Sequence, residues 1–142
     1  MTMSQEKQVK VLVVDDEPSI RVLVQRALER NGFYADVASD GVEALGKLES
    51  EAFDLLILDL MMPRLNGFDV VEKLARNPNG LPKILVMTAA SPSVLHDLPV
   101  HRVEKIITKP FEVQHLVASA MHLAASANGD AAAEETPPGG KR

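Results

Sequence analysis

The apolar positions of this chain change period repeatedly, and each change marks an element. Lys10 to Val14 is a short apolar run ending in Asp15 and Asp16, the pattern of a buried parallel strand that opens into a loop. Behind Pro18, the residues Ile20, Leu23, Val24, Ala27 and Leu28 recur at helical spacing, and Asn31-Gly32 supplies a stop. Tyr34 to Ala38 reads as a second strand, and Val42, Leu45 and Leu48 mark a second helix weakened by Gly46. Leu55 to Leu58 is the most continuous apolar run and ends in Asp59, which predicts the central strand. After a loop over Pro63 to Asn66, a third helical face follows from Phe68, Val71, Leu74 and Ala75, broken by Asn77-Pro78-Asn79-Gly80. Lys83 to Thr88 predicts the fourth strand. Ser91 and Pro92 read as cap and first residue of a fourth helix, which Pro99 ends after about two turns. Lys105 to Thr108 predicts a fifth strand, and Val113, Leu116, Val117, Ala120 and Ala124 trace a final helical stripe.

Five strands alternating with five helices through short links predict an α/β fold, a doubly wound five-stranded parallel sheet covered on both faces. Such sheets bind ligands in the crevice at the carboxyl ends of the strands, where the strand order reverses. The polar residues fall there. Asp15 and Asp16 follow the first strand, Asp59 ends the third, Thr88 ends the fourth, and Lys109 follows the fifth. Carboxylates held ~5 Å apart repel by about 3 kcal/mol per pair at an effective dielectric of ~20, so a cation belongs to the design. Oxygen ligands without histidine or cysteine suit a hard ion, and magnesium takes one or two carboxylates with waters and phosphate oxygens. The same constellation suits aspartyl phosphorylation: Asp59 as nucleophile, Lys109 as a second positive charge, and the Thr88 hydroxyl as donor to the new phosphoryl oxygen.

Composition narrows the setting. A chain of 142 residues, 46% hydrophobic and 25% charged, is the size of one domain, and no apolar run approaches the ~18 residues of a membrane span. Without cysteine there is neither a disulfide framework nor a thiolate zinc site, and Met1 to Gln8 lacks the apolar core of a signal peptide, which together suggest a cytoplasmic address. A net charge of −5 disfavours direct DNA binding, and His101 to Lys105 reads as ordinary solvated surface. From Asn128 onward nothing apolar larger than alanine remains, so the expected plan is a leader at 1–8, one domain at 9–126 and a disordered tail at 127–142.

Asp15-Asp16-Glu17-Pro18, Asp59-Leu60-Met61-Met62-Pro63 with Asn66-Gly67, Thr88-Ala89-Ala90 and Lys109-Pro110-Phe111 together resemble the receiver domain of bacterial two-component response regulators. Each motif is common alone; four in order at the right strand ends are specific. The resemblance implies a CheY-like, flavodoxin-like sheet with strand order 2-1-3-4-5. It implies phosphoryl transfer from a sensor histidine kinase or histidine phosphotransfer protein to Asp59, with self-catalysed dephosphorylation. It further implies Mg2+ held directly by Asp16, Asp59 and the Met61 carbonyl, and by Asp15 through water. The expected form is a stand-alone switch acting on an effector protein, and a phosphorylation-dependent homodimer is compatible with it. Many receivers carry Tyr or Phe three positions before the lysine, where this chain has Ile106, so an atypical output surface is expected over helix four, strand five and helix five.

Two other functions compete. A pseudo-receiver would keep the fold and signal as a binding module without phosphate, against which the complete polar set argues. A haloacid-dehalogenase-type phosphohydrolase resembles Asp-x-Asp at its nucleophile, whereas Asp59 is followed two residues later by Met61. No Walker-type or Gly-x-Gly-x-x-Gly loop points to a nucleotide enzyme.

Overall fold

Alternating side chains in each strand supply both faces of a central sheet. A computed structural model describes residues 8–62, 64–76, 82–91 and 93–127. The expectations for Met1 to Lys7, Pro63, Asn77 to Gly80, Pro92 and the tail from Asn128 lie outside the described residues. The strands are β1 (Lys10–Val14), β2 (Tyr34–Ala38), β3 (Leu55–Asp59), β4 (Lys83–Thr88) and β5 (Val103–Thr108), all parallel in the order β2-β1-β3-β4-β5. The helices are α1 (Pro18–Arg30), α2 (Gly41–Ser50), α3 (Gly67–Ala75) and α4 (Val113–Ala127). Val11, Val13, Leu55 and Ile57 meet α1 and α4 through Val24, Leu28, Leu116 and Ala120. Leu12, Val14, Leu56 and Leu58 meet α2 and α3 through Ala44, Val70, Val71 and Leu74 on the opposite face. β1 and β3 are thus buried on both faces, as their unbroken apolar runs require.

Three expectations are corrected. Among the described residues the fourth of five expected helices is absent; two 3₁₀ segments, Val94–Asp97 and Val100–Arg102, lie between β4 and β5, and the last helix is therefore α4. About two turns between prolines are too few to sustain an α-helix unaided. β5 begins at Val103, two residues earlier than expected, and its pairing with β4 shifts between Ile84 and Leu85. Leu23 and Val42, both assigned to buried stripes, are 45% and 51% exposed, because each lies at the rim of its helix's apolar face.

Arg102 is a further departure, since the stretch read as solvated surface buries it to 6% exposure. Its Nη2 donates to the Pro82 carbonyl at 3.1 Å and its Nε to the Leu74 carbonyl at 3.4 Å, in the last turn of α3. A cation there complements the negative end of the helix dipole. Arg102→Met keeps much of the stem and removes these charge-assisted bonds, and is expected to lower stability by about 1–3 kcal/mol. Urea denaturation checks it; an unchanged midpoint would show that the guanidinium contributes nothing net.

Candidate functional site

The reversal of strand order lies between β1 and β3; acid follows the first and ends the second. Asp15 follows the buried Val14 and is itself fully buried, while Asp16, the next residue along, is exposed. Asp15 is fixed on three sides: its N–H donates to the Ala38 carbonyl at 3.2 Å, its Oδ1 accepts from the Glu17 N–H at 2.9 Å, and its carbonyl accepts from Arg21 Nη1 at 2.8 Å. Asp59, 3% exposed, closes β3, and its Oδ1 accepts from the Met61 N–H at 3.2 Å. One oxygen from each of Asp15, Asp16 and Asp59 lies within 4.8 Å of the others.

Lys109 reaches this cluster from the end of β5. Its Nζ donates to Asp15 Oδ2 at 2.8 Å and to Asp59 Oδ2 at 3.3 Å, with Glu17 Oε1 at 3.7 Å. Its N–H donates to the Thr88 carbonyl at 2.8 Å, which ties the lysine to the end of β4. The buried Thr88 Oγ1 accepts from the Ala90 N–H at 2.9 Å. Gly67 opens α3 directly beneath: a Cβ there would lie 2.6 Å from Leu60 Cα, so only glycine lets the helix start this close to the strand end.

Burial and the neighbouring Asp15 charge push the Asp59 carboxyl above its ordinary range, and Lys109 offsets only part of this. Burial works to lower Lys109, but its bond to Asp15 and the charges of Asp59 and Asp15 outweigh that and hold it raised. The pocket therefore carries more negative charge than one lysine satisfies. All its candidate ligands are oxygens, which fits a hard divalent cation.

The structure brings Asp15, Asp16, Asp59 and Lys109 together and sets Thr88 and Met61 beside them. Sequence reasoning missed the contact of Glu17 with Lys109 and the anchoring of Asp15 by Arg21. It also missed Asp40, whose Oδ1 caps α2 by accepting from the Glu43 N–H at 2.8 Å. Acid at Asp40 and Glu43, three residues apart before an apolar face, was a readable cap signal. Arg64, whose Nη2 lies 3.1 Å from Asp40 Oδ2, gave no such signal.

An acidic cluster and a lysine at the strand ends of a 2-1-3-4-5 sheet are the arrangement of a receiver-type signalling module of two-component systems. The chain belongs to the response regulator receiver domain family, whose model matches residues 11–121. It is 38% identical over 133 residues to the response regulator MprA of Mycobacterium tuberculosis, an alignment covering 89% of this chain and 55% of the relative. The chain spans about half the length of the curated relatives it matches. Among solved structures it resembles Thermotoga maritima TrrA in complex with Mg2+ and BeF, at 34% identity and a TM-score of 0.73, covering 82% of this chain and 99% of that one. It also resembles the chemotaxis response regulator CheY4 of Vibrio cholerae, at 31% identity and a TM-score of 0.75 over the same shares of each chain. No described helix is long and apolar enough to cross a membrane.

Proposed function

We propose that Asp59 accepts a phosphoryl group from a histidine kinase or a histidine phosphotransfer protein, and that the acyl phosphate switches a protein-binding surface. The observation that carries this reading is the convergence of Lys109 Nζ on Asp15 and Asp59 beside a third carboxylate. An Asp59 oxygen attacks phosphorus, the bond from phosphorus to the donor breaks, and the donor leaves with its electron pair. Lys109 then exchanges its Asp59 bond for a phosphoryl oxygen. Thr88 turns its hydroxyl toward the same group, giving up the Ala90 N–H and carrying the change to the β4 loop.

Asp16, Asp59 and the Met61 carbonyl would hold Mg2+ directly, with Asp15 acting through water. The ion, when bound, neutralises charge on the phosphoryl oxygens. The responding surface comprises the 3₁₀ segments, β5 and α4. There Ile106 stands 40% exposed at the position where many receivers carry a Tyr or Phe, so readout by ring rotation has no ring to use.

Wild-type protein treated with acetyl phosphate and Mg2+ should gain the mass of one phosphoryl group, and Asp59→Asn should gain none. A folded wild type that takes no adduct would favour the pseudo-receiver reading.

A further inference from the structure

Arg64 is the only non-glycine with positive φ among the described residues, at 61°, a left-handed conformation that glycine takes far more readily. Its side chain is 61% exposed, and an arginine with no task would leave this position to glycine. Its partner is shielded: the Asp40 side chain is 15% exposed, and its other oxygen is held by the first turn of α2. The next residue repeats the connection, for the Gly41 N–H donates to the Leu65 carbonyl at 3.1 Å, and a Cβ on Gly41 would collide with that carbonyl. The N-cap and the first residue of α2 thus grip two consecutive residues of the loop between β3 and α3. The base of that loop is closed by the Gly67 N–H on the Leu60 carbonyl at 3.0 Å. Ala38, two residues before Asp40, accepts the Asp15 N–H. The stretch from Ala38 to Gly41 therefore holds both the backbone of Asp15 and the loop that follows Asp59.

We propose that Asp40 and Arg64 form a clamp that sets the loop after Asp59 for the divalent cation, making both positioning residues for phosphoryl acceptance. The inference rests on the functional reading above. Magnesium demands near-ideal octahedral geometry, so a loop offering a carbonyl at Met61 must be held from outside the pocket. Arg64 supplies that hold through α2 rather than by touching the ion.

Asp40→Asn and Arg64→Met in the 142-residue chain test it. Asparagine caps a helix as well as aspartate, so the first variant removes the charge and keeps α2 capped. Each variant should raise the magnesium concentration for half-maximal phosphorylation by acetyl phosphate about ten-fold, with the rate at saturating magnesium nearly unchanged. In metal-free protein, amide exchange over 60–67 should quicken about ten-fold, and Arg64→Lys should restore most of both losses. Unchanged half-saturation and exchange in folded variants would overturn the clamp. So would a fall in the saturated rate alone, which would place Arg64 against the donor. Should wild type accept no phosphoryl group, the functional reading fails, and the exchange measurement alone decides for or against the clamp.

Discussion

Lys109→Met is expected to lower stability by about 3–5 kcal/mol at neutral pH in metal-free buffer, because it strands two buried carboxylates that now share one ammonium. Asp15 and Asp59 have side chains 0% and 5% exposed, so water cannot replace the lysine at 2.8 Å and 3.3 Å. Lys109 is held above its ordinary range, so its stabilisation is fully present at neutral pH and is lost only as strongly alkaline pH passes its folded pKa. In the variant the loss should shrink toward mildly acid pH, where Asp59, already raised with the lysine present, takes up a proton more readily. Saturating magnesium should recover much of it by restoring positive charge. Urea denaturation at neutral and mildly acid pH, with EDTA or Mg2+, measures all three effects. A loss indifferent to both pH and metal would mean that Lys109 matters for packing rather than charge.

Asp59→Asn should behave in the opposite way and stabilise the metal-free protein. A carboxyl whose pKa is raised on folding favours the native state while protonated; that contribution is present below the unfolded pKa and lost as pH rises through the folded pKa. At neutral pH the ionised Asp59 is therefore a cost. Like charges within 4.8 Å repel by roughly 3 kcal/mol at an effective dielectric of ~20, and Lys109 offsets part, so a gain of about 1–2 kcal/mol is expected. The advantage over wild type should vanish below about pH 4, where aspartate protonates in the unfolded chain too. Magnesium should raise the melting temperature of wild type more than that of the variant. A variant less stable than wild type at neutral pH in EDTA would mean that Lys109 more than neutralises the pocket and would remove the electrostatic case for a cation there. Together the two substitutions separate the charge the fold tolerates from the charge it lacks.

Local pattern made most of the scaffold legible. β1, β2, β3 and β4 run over the residues expected, and for β1 and β3 the apolar runs that end against Asp15 and in Asp59 leave the strand little room to slip. The connection from β4 to β5 was misread because a cap-like serine and a spaced proline mark where a helix could start and stop, not whether its few residues find enough to bury. Arg102 was misread for the same reason: the carbonyls that receive it belong to Leu74 and Pro82, 28 and 20 residues away.

By itself, the sequence determined the alternation of strands and helices, the family, and which acids stand at strand ends, because these follow from period, punctuation and motif within short windows. Only the tertiary structure decided which of those groups meet. Lys109 is 94 residues from Asp15 and 50 from Asp59, and the crossovers of the parallel sheet bring the three within hydrogen-bond reach. Tertiary structure also decided that Asp15 is buried and Asp16 exposed, and that Asp40 reaches Arg64. Such pairings depend on how distant segments pack, and neither partner's own neighbourhood records them.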